Sequence, residues 1–202
     1  MSDKKRQRRK DARPEEIVSA ALEEFASKGY AGTSMGSIAV RAGIARSTIY
    51  LYFEDKEAVI EAAFKDRVET AIRTSMEHAS LVEGPFDEVL RTMLTGVLNR
   101  FLEPDRLILF KVLITEGQQF PSLLERYHAT TMANAKQLLS NLLAIGVRRG
   151  ELRKEALDYD HRLIIAPIIV TAMWQLTFET IDPIDRDKFI AQYVDLLSRA
   201  LR

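Results

Sequence analysis

Apolar residues recur every three or four positions along most of this chain, the spacing of one face of an α-helix. Ile17, Val18, Ala21, Leu22 and Phe25 form the first such stripe. It is preceded by Pro14-Glu15-Glu16, a helix start in which proline loses no hydrogen bond and two carboxylates face the positive end of the dipole. Gly29 stops it, so a helix over about 14–28 is predicted. Thr33 reads as the N-cap of a short helix carrying Met35, Ile38 and Ala39 inward, closed at Gly43. A further helix covers Ile44 to Phe53, and Asp55 caps another that can run to about Ala79. Gly84-Pro85 marks a break.

The remainder is helical by the same criterion. Val89, Leu90, Met93, Leu94, Val97, Leu98 and Phe101 stripe a helix from Phe86 to Leu102. Pro104 opens a helix ending near Gly117, and Pro121 opens a longer one to about Arg149, with Gly150 as its stop. Asp158 or Asp160 caps the next, which continues to about Thr180. After Asp182-Pro183, Asp185 caps a final helix with Phe189, Tyr193, Leu196, Leu197 and Ala200. Leu163 to Val170 is rich in β-branched residues, but Pro167 inside it argues against a central strand. It reads as a helix buried nearly all round, kinked where the Pro167 ring frees the carbonyl of Leu163. The fold class is therefore all-α.

Composition narrows the functional classes. The 202 residues are 47% hydrophobic and 29% charged, ordinary for a globular protein. There is no cysteine, which excludes disulfides, thiolate zinc sites and a cysteine nucleophile. The first thirteen residues lack the apolar core of a signal peptide, and the longest apolar run, Leu163 to Val170, is too short to span a bilayer. A cytoplasmic protein with no membrane partner is expected. The net charge is zero, yet Lys4, Lys5, Arg6, Arg8, Arg9 and Lys10 crowd the start of the chain against Asp3. Such a run is either a solvated tail or an arm that neutralises phosphates.

His78, His128 and His161 are scattered, without the i, i+4 spacing of a helical metal site. Glu155, Asp158 and Asp160 cluster as a solvated helix start would. No phosphate-cradling glycine loop or nucleophile elbow occurs, so no enzyme, no metal and no cofactor is expected. Residues 33–53 instead hold two short helices joined at Gly43, the layout of a helix-turn-helix. Ile38, Ala39 and Ala42 pack the first helix inward; Ile49 and Phe53 pack the second. The second then exposes Arg46, Ser47, Thr48, Tyr50 and Tyr52, all able to hydrogen-bond phosphates or base edges. The N-terminal residues of such a helix enter the major groove, which points to Ala45 through Thr48.

These residues resemble the TetR family of bacterial transcriptional regulators. The resemblance rests on Ile17 to Phe25, Gly29-Tyr30 before Thr33-Ser34-Met35, Ile38 to Gly43, and Ser47 to Glu57; the rest of the chain matches in length and helical layout. It implies an N-terminal three-helix helix-turn-helix head on a larger helical ligand-binding and dimerisation body. The implied divisions are a flexible basic arm at 1–13, a DNA-binding domain at 14–60 and an effector-binding and dimerisation domain at 61–202. Carried over by position, Thr33 and Ser34 are phosphate contacts at a helix N-terminus, and Ala45, Arg46, Ser47 and Thr48 face the groove. Tyr50 and Tyr52 grip the backbone, Lys56 binds a phosphate, and the basic arm adds a further contact.

The implied partners are double-stranded operator DNA, a second copy of the chain joined through about 159–201, and a small apolar or amphipathic effector. Phe101, Phe110, Tyr127, Trp174 and Phe178, with Met132 and Met173 beside them, are candidate pocket residues, although such helical stripes more often simply fill the core, and Lys111, His128 and Gln175 are candidate polar partners. The expected function is a transcriptional repressor released by its ligand. An activator or ligand-independent regulator of the same fold is the alternative, and a helical enzyme or recombinase carrying a helix-turn-helix is a third.

Overall fold

The computed structural model describes the backbone of residues 2–69 and 84–202, with side chains from Arg13 to Val68 and from Gly84 onward. Helices account for nearly all regular structure, and no strand occurs among the described residues. The expected helix-turn-helix head on a helical body is the architecture found.

α1 spans Ser2–Lys28. The expected flexible arm is thus a helical extension, and Pro14 lies inside the helix instead of opening it. The reason is local: residues 4–10 are Lys, Arg and Gln, good helix formers, with no glycine or proline before Pro14 to stop them. Ile17, Val18, Ala21, Leu22 and Phe25 are buried along one stripe, as predicted. Gly29 ends the helix at φ 72°, a conformation cheap for glycine alone.

α2 (Met35–Arg41), α3 (Arg46–Ile49) and α4 (Lys56–Phe64) follow. The N-cap of α2 is Ser34, not Thr33: the Ser34 and Ser37 side chains each accept from the other's backbone N–H, a reciprocal capping box. Gly43 turns the chain between α2 and α3 at φ 65°. α3 is shorter than the predicted 44–53, because residues 50–52 continue as turns. Ile49 and Phe53 nevertheless bury as expected. Asp55 caps α4 by accepting from the Ala58 N–H at 2.8 Å. α4 passes into a π-helical turn at Lys65–Glu69; its expected continuation to Ala79 lies outside the described residues.

The chain forms two compact units. The first contains residues to Glu69 together with Ile108–Glu125, so the head recruits a segment well beyond the expected boundary at residue 60. α1 packs on both α2 and α4 in this unit. The recruited segment is anchored by Phe120, whose ring meets Tyr30 edge-on at 5.1 Å.

The second unit contains the described residues of 84–107 and 126–202. The remaining helices are α5 (Phe86–Phe101), α6 (Pro104–Glu116), α7 (Pro121–Tyr127), α8 (Ala133–Arg148), α9 (His161–Thr177) and α10 (Arg186–Leu201). α6 and α7 each cross the division between the units. A π-helical turn at His128–Met132 separates α7 from α8, where one continuous helix was expected. α5 buries Phe86, Leu90, Leu94 and Leu98 and packs on α9 and α10. Ser198 of α10 and Arg202 at its C-cap both donate to the Asp87 carboxylate, each at 2.6 Å. Of the two candidate caps for α9, Asp160 serves, accepting from the Arg162 N–H at 2.8 Å.

Pro167 sits inside α9 as predicted, and the carbonyl it frees has a partner: the Tyr193 hydroxyl of α10 lies 3.3 Å from Leu163 O and also donates to Ile164 O. The expectation that Leu163 to Val170 is buried nearly all round does not hold. Leu163 is 61% and Val170 53% exposed, because α5 and α8 cover only one side of α9.

Candidate nucleic-acid interface

The interface begins with the way α2 is fixed to α1. Positions 17, 21 and 24 share a helical face, so Glu24 lies in the buried register of α1, and its side chain is only 3% exposed. A carboxylate there needs partners. Lys28 Nζ at 2.7 Å and Arg41 Nε at 2.6 Å both donate to it, and Arg41 also donates to Glu23 at 3.0 Å. Hydrogen bonds from Lys28, then Arg41, hold the Glu24 pKa down to about 2. Arg41 is thereby committed to joining α2 to α1, and Lys28 to the same carboxylate within α1.

With Ile38, Ala39, Ile49 and Phe53 anchoring the inner faces, α3 turns its other residues outward. Ala45, Arg46 and Ser47 are exposed, Thr48 and Tyr52 half-buried, and Tyr50 exposed. Two apolar residues not singled out from sequence share this exposure: Val40 and Leu51, at 80% and 81%. Arg46 lies across the start of α2, its Cδ and Nε about 4.0 Å from where a Cβ on Gly36 would stand, and Ser34 Oγ borders the same spot at 3.7 Å. Ser34, Gly36 and Arg46 therefore converge.

Thr33 does not join them. It is buried, and its hydroxyl donates to the Gly29 carbonyl at 2.8 Å, completing the end of α1. The expected phosphate contact at Thr33 is thus a residue whose hydroxyl is bonded inward, at the end of α1. Lys56 is half-buried, and its ammonium donates to the carbonyls of Tyr30 and Thr33 at 2.5 and 2.8 Å. It also stands 4.0 Å from the centre of the Tyr30 ring. Burial lowers its pKa, partly opposed by the charge of Glu116. Burial, with the nearby carboxylates of Glu57, Asp55 and Glu116, pushes the Tyr30 phenol up to about 12.

The candidate effector residues divide between the two units. Phe110 and Lys111 belong to the first unit; Phe101, Tyr127, His128, Trp174, Gln175 and Phe178 belong to the second. Trp174 donates from Nε1 to the Asp182 carbonyl at 2.6 Å and packs on Phe178 at 4.9 Å, while Gln175 accepts from Arg186 at 3.0 Å. These contacts tie the end of α9 to the loop before α10 and to Arg186 at the start of α10, and Phe178 is exposed. Tyr127 is half-buried, and burial pushes its phenol up to about 12. His128 is exposed. Among the described residues no group of His, Cys, Asp or Glu could hold a metal ion, and no helix is long and apolar enough to cross a membrane.

An exposed recognition helix on a buried three-helix support defines a helix-turn-helix DNA-binding protein. Residues 17–63 match the family of bacterial regulatory proteins described as tetR, and residues 83–197 match a tetracyclin repressor-like C-terminal domain. The chain belongs to the tetR family. It is 29% identical over 151 residues to the fatty acid metabolism regulator protein of Bacillus subtilis, covering 74% of this chain and 76% of that one. It is 26% identical over 198 residues to the transcriptional regulator TtgR of Pseudomonas putida, with 93% of each covered. Among solved structures, the fatty acid degradation regulator FadR from Bacillus halodurans superposes with a TM-score of 0.77 at 19% identity, over 94% of this chain and 96% of that one. FadR from Bacillus subtilis, in complex with stearoyl-CoA, gives 0.71 at 21% identity, over 93% and 98%. The protein is a DNA-binding transcriptional regulator and not an enzyme.

Proposed function

We propose that this chain is a cytoplasmic, homodimeric repressor whose α3 enters the major groove of operator DNA and whose body releases the operator on binding an amphipathic small molecule. The observation that carries the DNA-binding geometry is the division of α3 and its flanks. Ile49 and Phe53 are buried, while Ala45, Arg46 and Ser47 are exposed and Thr48 half-buried, so base-reading groups stand outward on an anchored support. Ser34, Tyr50, Tyr52 and Lys56 flank them as backbone contacts, which set register without reading sequence.

Dimerisation through about 159–201 is supported by the apolar surface of the last two helices. Leu163, Val170, Met173, Leu176, Phe178, Ile181 and Leu196 are all exposed in the single chain. A two-fold contact between such faces would bury them. The effector class is supported by the name of the fatty acid regulator to which the chain is similar, and by the half-buried Phe101 and Tyr127 in the second unit.

The test is selection of bound sequences from random duplexes by the full chain. The expected product is a two-fold symmetric site whose half-sites lie one helical turn, about 34–36 Å, or a multiple of it apart. Stearoyl-CoA added to the selected duplex should release the protein. Absence of any enriched sequence would overturn the DNA reading; an enriched site unaffected by stearoyl-CoA would overturn the acyl form of the effector.

A further inference from the structure

We propose that Tyr30 is the positioning residue for the DNA-facing lysine: its carbonyl and its ring hold the Lys56 ammonium, and Phe120 holds the ring. The proposal rests on the reading of Lys56 as a phosphate contact.

The head's basic side chains are held in two different ways. Lys28 and Arg41 are bound by the carboxylates of Glu24 and Glu23, and Arg67 lies 2.8 Å from Asp66. Such cations are largely neutralised by their partners. Lys56 is held by neutral acceptors instead: two carbonyls and an aromatic face. Neutral acceptors orient an ammonium without cancelling its charge, which is what a phosphate must feel. Glu116, the carboxylate that acts on Lys56 electrostatically, is itself bound by Gln119 Nε2 at 2.7 Å. An ammonium has three N–H donors, and the two carbonyls use two. One donor and the ammonium's charge, shared with the Tyr30 ring face, are left to meet DNA, on a stem whose rotamer freedom was already lost in folding.

The ring of Tyr30 is itself fixed from two sides. Phe25 of α1 lies 5.3 Å away and Phe120 5.1 Å away. Phe120 ends the short 3-10 turn Gly117–Gln119 in the segment that the first unit recruits from far along the chain. The lysine's setting therefore depends on residues distant from it in sequence, and any rearrangement of that corner reaches the DNA-binding charge through one aromatic contact.

The experiment uses the full chain and a mixed-sequence DNA duplex, with affinity measured from 50 to 200 mM salt. Lys56→Ala should reduce the slope of log affinity on log salt by about 0.9, one lost phosphate contact. Tyr30→Leu should weaken binding about 3- to 10-fold, while Tyr30→Phe, which keeps the ring, should match the parent. The decisive reading is the double variant: in the Lys56→Ala background Tyr30→Leu should cost nothing further. If Tyr30→Leu does not fold by circular dichroism, Phe120→Leu takes its place in the same cycle. Equal losses with and without Lys56, or no loss in either background, would overturn the positioning role alone. An unchanged salt slope in Lys56→Ala would overturn the phosphate reading of Lys56 and this proposal with it.

Discussion

Tyr193→Phe removes one hydroxyl and keeps the ring, which makes it a sharp probe of the proline in α9. In an uninterrupted helix the Leu163 carbonyl would accept from the N–H of residue 167, but Pro167 has none. The Tyr193 hydroxyl stands 3.3 Å from that carbonyl and donates to its neighbour on Ile164. Burial raises the phenol pKa, so the group is a proton donor throughout the ordinary pH range. A neutral hydrogen bond contributes about 0.5–1.5 kcal/mol net, and a carbonyl left dry costs more. Leu163 is 61% exposed, so water can reach its vacated carbonyl and the loss stays within that range, about 1 kcal/mol. For a chain of this size that is a fall in Tm of about 2–4 °C, measured at matched protein concentration because a dimer's Tm depends on it. Pro167→Ala returns the missing N–H. The same Tyr193→Phe change made in the Pro167→Ala background should therefore cost measurably less, a coupling of about 0.5 kcal/mol or more. Equal losses in the two backgrounds would mean that the hydroxyl does not serve the carbonyl freed by proline.

Two further outcomes follow from the charge and surface patterns. Glu24 is depressed from 4.5 to about 2 by Lys28 and Arg41, so its contribution to stability is fully present above about pH 4.5 and is lost as pH falls through about 2. Glu24→Gln should remove that part of the acid dependence, and identical acid-unfolding curves for parent and variant would contradict the assignment. Val170→Glu combined with Met173→Glu places charges on exposed apolar positions of α9 and should convert a dimer to a monomer at micromolar concentration by light scattering. A retained dimer mass would move the interface elsewhere.

Helix positions were readable in the sequence because periodicity and punctuation agree there. Gly29 and Gly43 both take positive φ at the turns predicted for them, and Asp55, Asp160 and Asp185 cap the helices they precede. The misread places are those where local signals compete. Pro14 suits a helix start, but helix-forming residues before it carry α1 through to Ser2. Thr33 and Ser34 are both good caps, and which one serves depends on Ser37 three residues after Ser34, a partner that a single-residue preference ignores. The apolar run at Leu163–Val170 announces burial all round, but only Ile164 and Ile168 are buried in the single chain, since periodicity cannot say whether cover comes from the same chain or from a second copy.

The same distinction governs the site. The exposure of Ala45, Arg46, Ser47 and Tyr50 was legible because it follows from the burial of Ile49 and Phe53, a local inference. Lys56 could be named from its position in the motif, but the two carbonyls that hold it come from the turn after α1, and the ring against Tyr30 comes from residue 120. Nothing in the sequence around Lys56 marks those partners. Glu24 is the instructive intermediate case. Its place at i, i+3 and i, i+7 from Ala21 and Ile17 puts a carboxylate on the buried stripe, and Lys28 one turn later is a ready partner. A buried carboxylate with one exposed lysine is under-compensated, so a second cation was required from elsewhere in the head. Arg41, at the end of α2, meets that requirement, and the pair it makes with Glu24 joins α2 to α1.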